Sequence, residues 1–296
     1  MTTQPMTKEQ AVAAAIREIS HIATLPEITL KIIELVESPN STAQDLHKVI
    51  ANDPALCSRI LKVVNSAFYG LPGQIGSINR AIVLLGLNAV KNIAIAASLA
   101  KLFRGGSLTP EFSAKNLWTH SVATASASKM IADHLKVGLS DEAFLAGLIH
   151  DIGMIVEIQY DRQKFIEVIG RVMPEGGHDA PACSMLEAEE QIFGANHQEF
   201  GQGLCEKWKF PRSFAMVTGF HHRTQDLPGD SRTLVSIVAA ADRLAGNLAG
   251  GFRLDVMETV VPPEVLSDLR ISAEAMDTIA ARLPEQIEAV SAMLAG

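Results

Sequence analysis

An imidazole and a carboxylate stand side by side at His150-Asp151, inside the run Gly147-Leu148-Ile149-His150-Asp151-Ile152-Gly153. Both side chains are metal ligands, and the apolar residues around them, Leu145, Leu148, Ile149 and Ile152, imply burial. A buried imidazole or carboxylate must be hydrogen-bonded, paired or metal-bound, because an isolated one is too costly to take out of water. Neighbouring residues of a helix point roughly 100° apart. The two can therefore share one centre only if the helix ends there, and Gly153 is the residue placed to end it. Further ligands must come from other segments, and the candidates are His120, His197, His221, His222 and Asp242, each in a predicted helix or at a helix end.

Imidazole and carboxylate donors without thiolate suit one or two divalent transition metal ions of the iron, manganese, nickel or zinc type. Two such ions about 3.5–4 Å apart would be bridged by a carboxylate such as Asp151. A structural zinc site would more often use cysteine, and Cys57, Cys183 and Cys205 lie apart from the histidine set. Two ions set against Asp151 and Asp242 would leave a locally positive pocket that attracts phosphate. Water activated there could attack a phosphomonoester or phosphodiester, with Asp151 as the catalytic candidate. Five of the nine histidines fall in this set, and His21, His47, His134 and His178 are read as surface or capping residues.

A chain of 296 residues can bury a large core as one domain or two. The net charge of -8, with no run of Lys and Arg interleaved with aromatics, opposes a phosphate backbone and argues against a nucleic-acid partner. The apolar region from Ala81 to Ala100 is interrupted by Gly86, Asn88, Lys91 and Asn92, so no membrane span is expected. The polar start from Met1 to Gln10 does not read as a secretion signal. Three widely spaced cysteines suit a reduced, cytoplasmic protein better than a disulfide scaffold.

The elements that must position these ligands read as helices throughout, since nearly every boundary is a cap and no run alternates like a strand. Thr7 with Gln10 and Ser41 with Gln44 have capping-box spacing, Pro26 opens a helix, and Asp53-Pro54 is an N-cap followed by a proline. Asn65 to Gly73 is a break, Ser77 caps the next helix, and Gly86 ends it. A helix from about Asn88 to Phe103 is apolar nearly all round. Thr109-Pro110-Glu111 is expected to open the helix that carries Trp118 and His120, and Ser140 to cap the one that delivers His150 and Asp151. Helices are expected over about 162–172 and 181–193, with a turn at Pro174-Glu175-Gly176-Gly177 between them. Asn196 with Glu199 is a cap that puts His197 in a first turn, Pro211 starts the helix ending in His221-His222, and Asp242 lies in the apolar helix after Ser231. The best subdomain boundary is Arg104-Gly105-Gly106-Ser107. That divides the chain into an N-terminal helical part (1–105), a helical core with the ligand set (106–250) and a helical tail from about Gly250 (251–296) that carries no recognisable chemical motif.

From about Ile16 to Leu248 the chain resembles the HDOD domain, a divergent branch of the HD superfamily of helical metal-dependent phosphohydrolases. The resemblance rests on Thr24-Leu25-Pro26, Asn52-Asp53-Pro54-Ala55-Leu56, Asn65-Ser66-Ala67-Phe68-Tyr69-Gly70 and Ala81-Ile82-Val83-Leu84-Leu85-Gly86 in the first half. In the second half it rests on Leu117-Trp118-Thr119-His120-Ser121, the run from Gly147 to Gly153, Asn196-His197-Gln198-Glu199-Phe200-Gly201, His221-His222 and Ala241-Asp242-Arg243. It implies an all-α, multi-helix bundle with an HD-like core and a role in bacterial signal transduction. It also implies metal ligation by His120, His150, Asp151, His197, His221, His222 and Asp242. Compared with the HD-GYP branch, which hydrolyses cyclic di-GMP, Asn116 replaces a glutamate, Met154 replaces a lysine, and Arg223 to Gly229 replaces the Gly-Tyr-Pro motif. These departures speak against that substrate.

Three readings follow. The first is a signalling module that meets a protein partner and retains its metal site. The second is a metal-dependent phosphohydrolase acting on a phosphomonoester or a cyclic nucleotide. The third is a purely structural adaptor with no ion.

Overall fold

The computed structural model describes residues 6–19, 25–38, 40–66, 69–103, 106–173, 181–248 and 253–294. Its helices are α1 (Lys8–Glu18), α2 (Glu27–Glu37), α3 (Ala43–Ala51), α4 (Pro54–Val64), α5 (Ile78–Leu85), α6 (Leu87–Leu99), α7 (Ala114–Leu135) and α8 (Ser140–Ile149). They continue with α9 (Ile152–Tyr160), α10 (Arg162–Val172), α11 (Met185–Phe193), α12 (His197–Lys207), α13 (Arg212–Phe220), α14 (Thr233–Gly246), α15 (Pro263–Leu269) and α16 (Ala273–Leu294). Among the described residues the fold is all-α, and the only pairing of extended backbone is an isolated bridge between Ser107 and Ser113.

The caps explain most of the boundaries. Thr7 and Gln10 form the capping box of α1, Asp53 caps α4 ahead of Pro54, Ser77 caps α5, and Asn196 with Glu199 closes a capping box on α12. Each satisfies amide groups that the first turn leaves without partners. Other boundaries differ from expectation. The box on α3 uses Thr42 and Asp45 rather than Ser41 and Gln44. The helix carrying His120 begins at Ala114 under a Ser113 cap, because Thr109 to Phe112 folds as a turn whose Phe112 amide bonds the Thr109 hydroxyl. Ser140 is the first residue of α8 instead of its cap, and its hydroxyl donates to Asp133. Helix α6 stops at Leu99 and tightens into a 3-10 turn over Ala100–Phe103, and α11 starts at Met185 under Ser184 rather than at Pro181. Thr24, Ala67-Phe68, Arg104-Gly105, the turn at Pro174 to Gly177, and Gly250 lie outside the described residues.

One continuous apolar cluster runs from Ala11 to Leu283. Helix α7 is its axis, packed on α8, α14 and α16, while α9 packs on α12, α10 and α1. Helix α6 ties the N-terminal helices to this core through α8, and α16 touches both α4 and α7. Lys91, read from sequence as an interruption of an apolar run, is buried in α6 and donates to the Leu35 carbonyl and the Ser41 hydroxyl, both at 2.6 Å. A cation at the last carbonyls of α2 is favourably placed in the helix dipole.

The stretch Ser140–Tyr160 has the length and composition of a membrane span, but 83% of its most apolar 18 residues are buried in the bundle. His150 and Asp151 divide it into α8 and α9.

Candidate metal centre

The break between α8 and α9 falls on the two residues that need it. His150 closes α8 with helical dihedrals, Asp151 follows at φ -97 and ψ 18, and α9 starts at Ile152. The change of direction lets both side chains face one point, with His150 Nε2 3.1 Å from Asp151 Oδ2. Gly153 does not end a helix, as the sequence suggests, but is the second residue of α9. A Cβ there would lie 1.8 Å from the His197 carbonyl oxygen and 2.8 Å from the Gly201 amide nitrogen. Its missing side chain allows α12 to press against α9 and carry His197 up to Asp151. Gly147 does the same for α7 against α8, since a Cβ would meet Ala125 and Thr124 backbone at 2.9 Å.

All seven candidates converge. His120 comes from α7, His197 from the first turn of α12, His221 and His222 from the end of α13, and Asp242 from the middle of α14. Their side chains are fully buried except that of His222, which is 7% exposed. Asp151 stands between two groups of imidazoles. Its Oδ2 faces His120 and His150 at 3.8 and 3.1 Å, and its Oδ1 faces His197 and His221 at 3.7 and 3.4 Å. Asp242 Oδ1 lies 3.0 Å from His120 Nε2 and 3.7 Å from His150 Nε2.

Three residues outside the expected set belong to the site. Asp255, in the segment between α14 and α15, is buried with Oδ2 3.2 Å from His222 Nε2. Donor atoms of Asp151, His197, His221, His222 and Asp255 lie within 4.8 Å of one another, as do those of His120, His150, Asp242 and Asp255. Glu189 of α11 meets His197 Nδ1 at 2.8 Å through Oε2 and also accepts from the His197 amide at 3.0 Å. Glu157 of α9 is fully buried beside it. The segment after Gly250, read as chemically blank, therefore contributes a carboxylate to the centre. Neither spacing nor periodicity signalled Asp255, Glu189 or Glu157, since each is one acid among many in the chain.

The outer hydrogen bonds orient the rings. His150 Nδ1 is 2.7 Å from the Gly147 carbonyl, His221 Nδ1 is 3.0 Å from that of Val217, and His197 Nδ1 is held by Glu189. A carbonyl or carboxylate partner makes Nδ1 the donor and turns Nε2 inward. Nε2 of His150, His197, His221 and His222 and both oxygens of Asp151, Asp242 and Asp255 are buried without an aligned hydrogen-bond partner. Buried polar groups are rarely left so. These atoms approach each other closely, within 4.8 Å in each group, without meeting hydrogen-bond geometry. The donor set fits divalent transition metal ions.

The electrostatics agree. Burial opposes charge on Asp151 and Asp242, but the facing imidazoles outweigh it and hold both carboxyls well below the usual range. Burial likewise opposes protonation of His197, yet the Glu189 charge prevails and pushes it up to about 9. Burial, joined by the charges of Asp151 and Asp242, raises Asp255 to about 7. Burial, then the Glu189 charge, holds Glu157 well above the usual carboxyl range. Without an ion, protons on His150 and His197 supply the positive charge that the carboxylates require.

Three of the residues that differ from HD-GYP proteins have other places in the fold. Met154 is buried in the core, Asn116 is exposed one turn before His120, and Arg223 is bound to Glu199 Oε1 and the Gly219 carbonyl, both at 3.2 Å.

Comparison with known proteins agrees with this architecture. An uncharacterized protein of Treponema pallidum (strain Nichols) is 25% identical over 302 residues, taking in 96% of this chain and 53% of that protein. The chain thus spans about half the length of that relative. An HDOD domain protein of unknown function from Geobacter sulfurreducens superposes with a TM-score of 0.75 at 24% identity, covering 96% of this chain and 98% of that one. A protein from Marinobacter aquaeolei VT8, named provisionally as a signal-transduction protein, gives a TM-score of 0.75 at 19% identity, with 98% of this chain and 66% of that one covered. These two likenesses concern the fold. Residues 22–224 match the HDOD domain family, well over half of the sequence, and the chain belongs to that family.

Proposed function

We propose that this chain is a signal-transduction module of HDOD type that holds one or two divalent transition metal ions, such as iron, manganese, nickel or zinc, in its HD-like core. One observation carries the reading: imidazole and carboxylate donors from α7, the α8–α9 junction, α12, α13 and α14 converge in a buried cluster, in which Nε2 of His150, His197, His221 and His222 and the oxygens of Asp151 and Asp242 lack aligned hydrogen-bond partners. His120, His150 and Asp242 would hold one ion, and His197, His221 and His222 the other, with Asp151 turning one oxygen to each. The three cysteines are free, which agrees with a reduced, cytoplasmic setting. A protein partner or a phosphorylated small molecule would read or set the state of this core.

Elemental analysis of the purified protein tests the reading directly. We expect bound transition metal in wild type and its loss in Asp151→Ala and His221→Ala variants that keep their helical circular dichroism. A wild-type protein that takes up no iron, manganese, nickel or zinc would refute it.

A second reading, a phosphohydrolase acting on a phosphomonoester or cyclic nucleotide, is favoured by the completeness of the ligand set. When bound, the ions would supply Lewis acidity toward a phosphoryl oxygen and acidify water. The chain's own residues would hold the geometry. Asp151 sits centrally between the two groups, Glu189 and the Gly147 and Val217 carbonyls fix the rings, and the apolar surround keeps bulk water out. Metal-dependent turnover that vanishes in Asp151→Ala would establish this reading, and inactivity of the loaded protein across such substrates would leave the signalling module.

A further inference from the structure

The carboxylate of Asp255 is where it would not be expected on physical grounds. It is brought by the segment between α14 and α15 into a buried site that already contains Asp151 and Asp242. Removing a third carboxylate from water beside two others is strongly unfavourable unless a cation compensates it. Among the described residues neither of its oxygens has an aligned hydrogen-bond donor, and Oδ2 lies 3.2 Å from His222 Nε2. Its flanking residues Leu254 and Val256 are buried too, so the carboxylate is anchored from both sides. Asp255 is also the residue common to both groups of donors, one completed by Asp151, His197, His221 and His222 and the other by His120, His150 and Asp242.

We propose that Asp255 is a metal ligand shared by the two ion positions, and that it makes docking of the segment from Arg253 through α15 depend on metal occupancy. The inference rests on the reading that the core holds metal. With ions present, the carboxylate is compensated and the segment closes over the His222 side of the site. Without them, the carboxylate's burial opposes closure and the segment loosens. The consequence extends beyond the site. Helix α15 follows this segment and packs on α14, and α16 follows in turn and packs on both α7 and α4. Metal state at the centre is thereby transmitted to the elements that join the two ends of the molecule, which is a physical route for a signalling module to report its ligand.

The test uses the full chain, stripped by chelator and titrated with Mn²⁺ alone, with metal stoichiometry, affinity and amide hydrogen exchange measured together. In wild type, Mn²⁺ should slow exchange across residues 253–269. Asp255→Asn, of equal size, should bind Mn²⁺ roughly 10–100-fold more weakly or lose one ion per chain, by analogy with the loss of a supporting ligand partner. It should also fail to gain the protection. Met257→Ala, an exposed neighbour on the same segment, should behave as wild type. Wild-type protein that binds no metal overturns both this inference and the reading beneath it. Wild-type protein that binds Mn²⁺ while Asp255→Asn matches it in stoichiometry, affinity and protection overturns the inference alone. So does wild-type exchange over 253–269 that does not respond to Mn²⁺, which requires no variant to fold.

Discussion

His197 shows how the fold fixes a single candidate ligand. Glu189 holds Nδ1 at 2.8 Å and accepts from the His197 backbone amide, so the ring is fixed by two contacts from one side chain. Burial works against a proton on this ring, but the Glu189 charge pushes its pKa up to about 9. A metal ion at Nε2 must displace that proton. The sign of the pH dependence follows: metal affinity is weakest at low pH, where the ring is protonated, and rises as pH increases toward 9. Each displaced proton adds roughly tenfold per pH unit. We expect calorimetric titrations of the chelator-stripped protein in buffers of different ionisation enthalpy to reveal proton release on metal binding. In Glu189→Gln the affinity should fall by roughly 10–100-fold. Its rise with pH should also level off at lower pH, because the charge that raised His197 is gone. An unchanged pH profile in that variant would show that Glu189 does not tune the ring.

At the scale of elements, the site depends on helices that touch at glycines. Helices α9 and α12 meet where a Cβ on Gly153 would overlap the His197 carbonyl at 1.8 Å, a distance no rotamer can relieve because both atoms are fixed to backbone. Gly153→Ala must force α12 away from α9, moving His197 and its capping residue Asn196 together. Overpacking of this kind costs roughly 1–3 kcal/mol or more. The expected result is a lower melting temperature together with loss of metal from a protein that still shows helical circular dichroism. Gly170→Ala, in α10 with open space around the added Cβ, is the control and should retain its metal. The break between α8 and α9 has the same importance in a different way. A continuous helix through His150 and Asp151 would splay their side chains, whereas the turn at Asp151 brings them to 3.1 Å.

On the scale of the whole molecule, the candidate ligands come from α7, the α8–α9 junction, α12, α13 and α14, elements spread over residues 114–246, a little under half of the chain. Unfolding disperses them, so an ion that binds only the folded state stabilises it by mass action. At a hundredfold excess over the Kd this amounts to about 2.7 kcal/mol, or roughly 5–10 °C in Tm for a domain of this size. Thermal melts of wild-type protein with added Mn²⁺ and after chelation should differ by that much. The same comparison in Asp151→Ala should show no difference. A wild-type melting temperature indifferent to metal would mean that the buried donors are balanced by protons alone.

The amino-acid order by itself determined the helical class and most of the caps, and it singled out the seven side chains His120, His150, Asp151, His197, His221, His222 and Asp242 that the fold brings together. It could do so because caps are local, set by the hydrogen-bonding needs of a few adjacent residues, and because histidine and aspartate in apolar surroundings are rare enough to stand out. Tertiary structure alone decided which further acids join them. Asp255, Glu189 and Glu157 lie among ordinary acidic residues, and only the crossing of α9, α11 and α12 and the path of the chain after α14 bring them inward. The role of Gly153 changed for the same reason. A glycine's effect on its own helix can be read from its neighbours in sequence, but the backbone of α12 pressed against it can be read only once distant segments have packed.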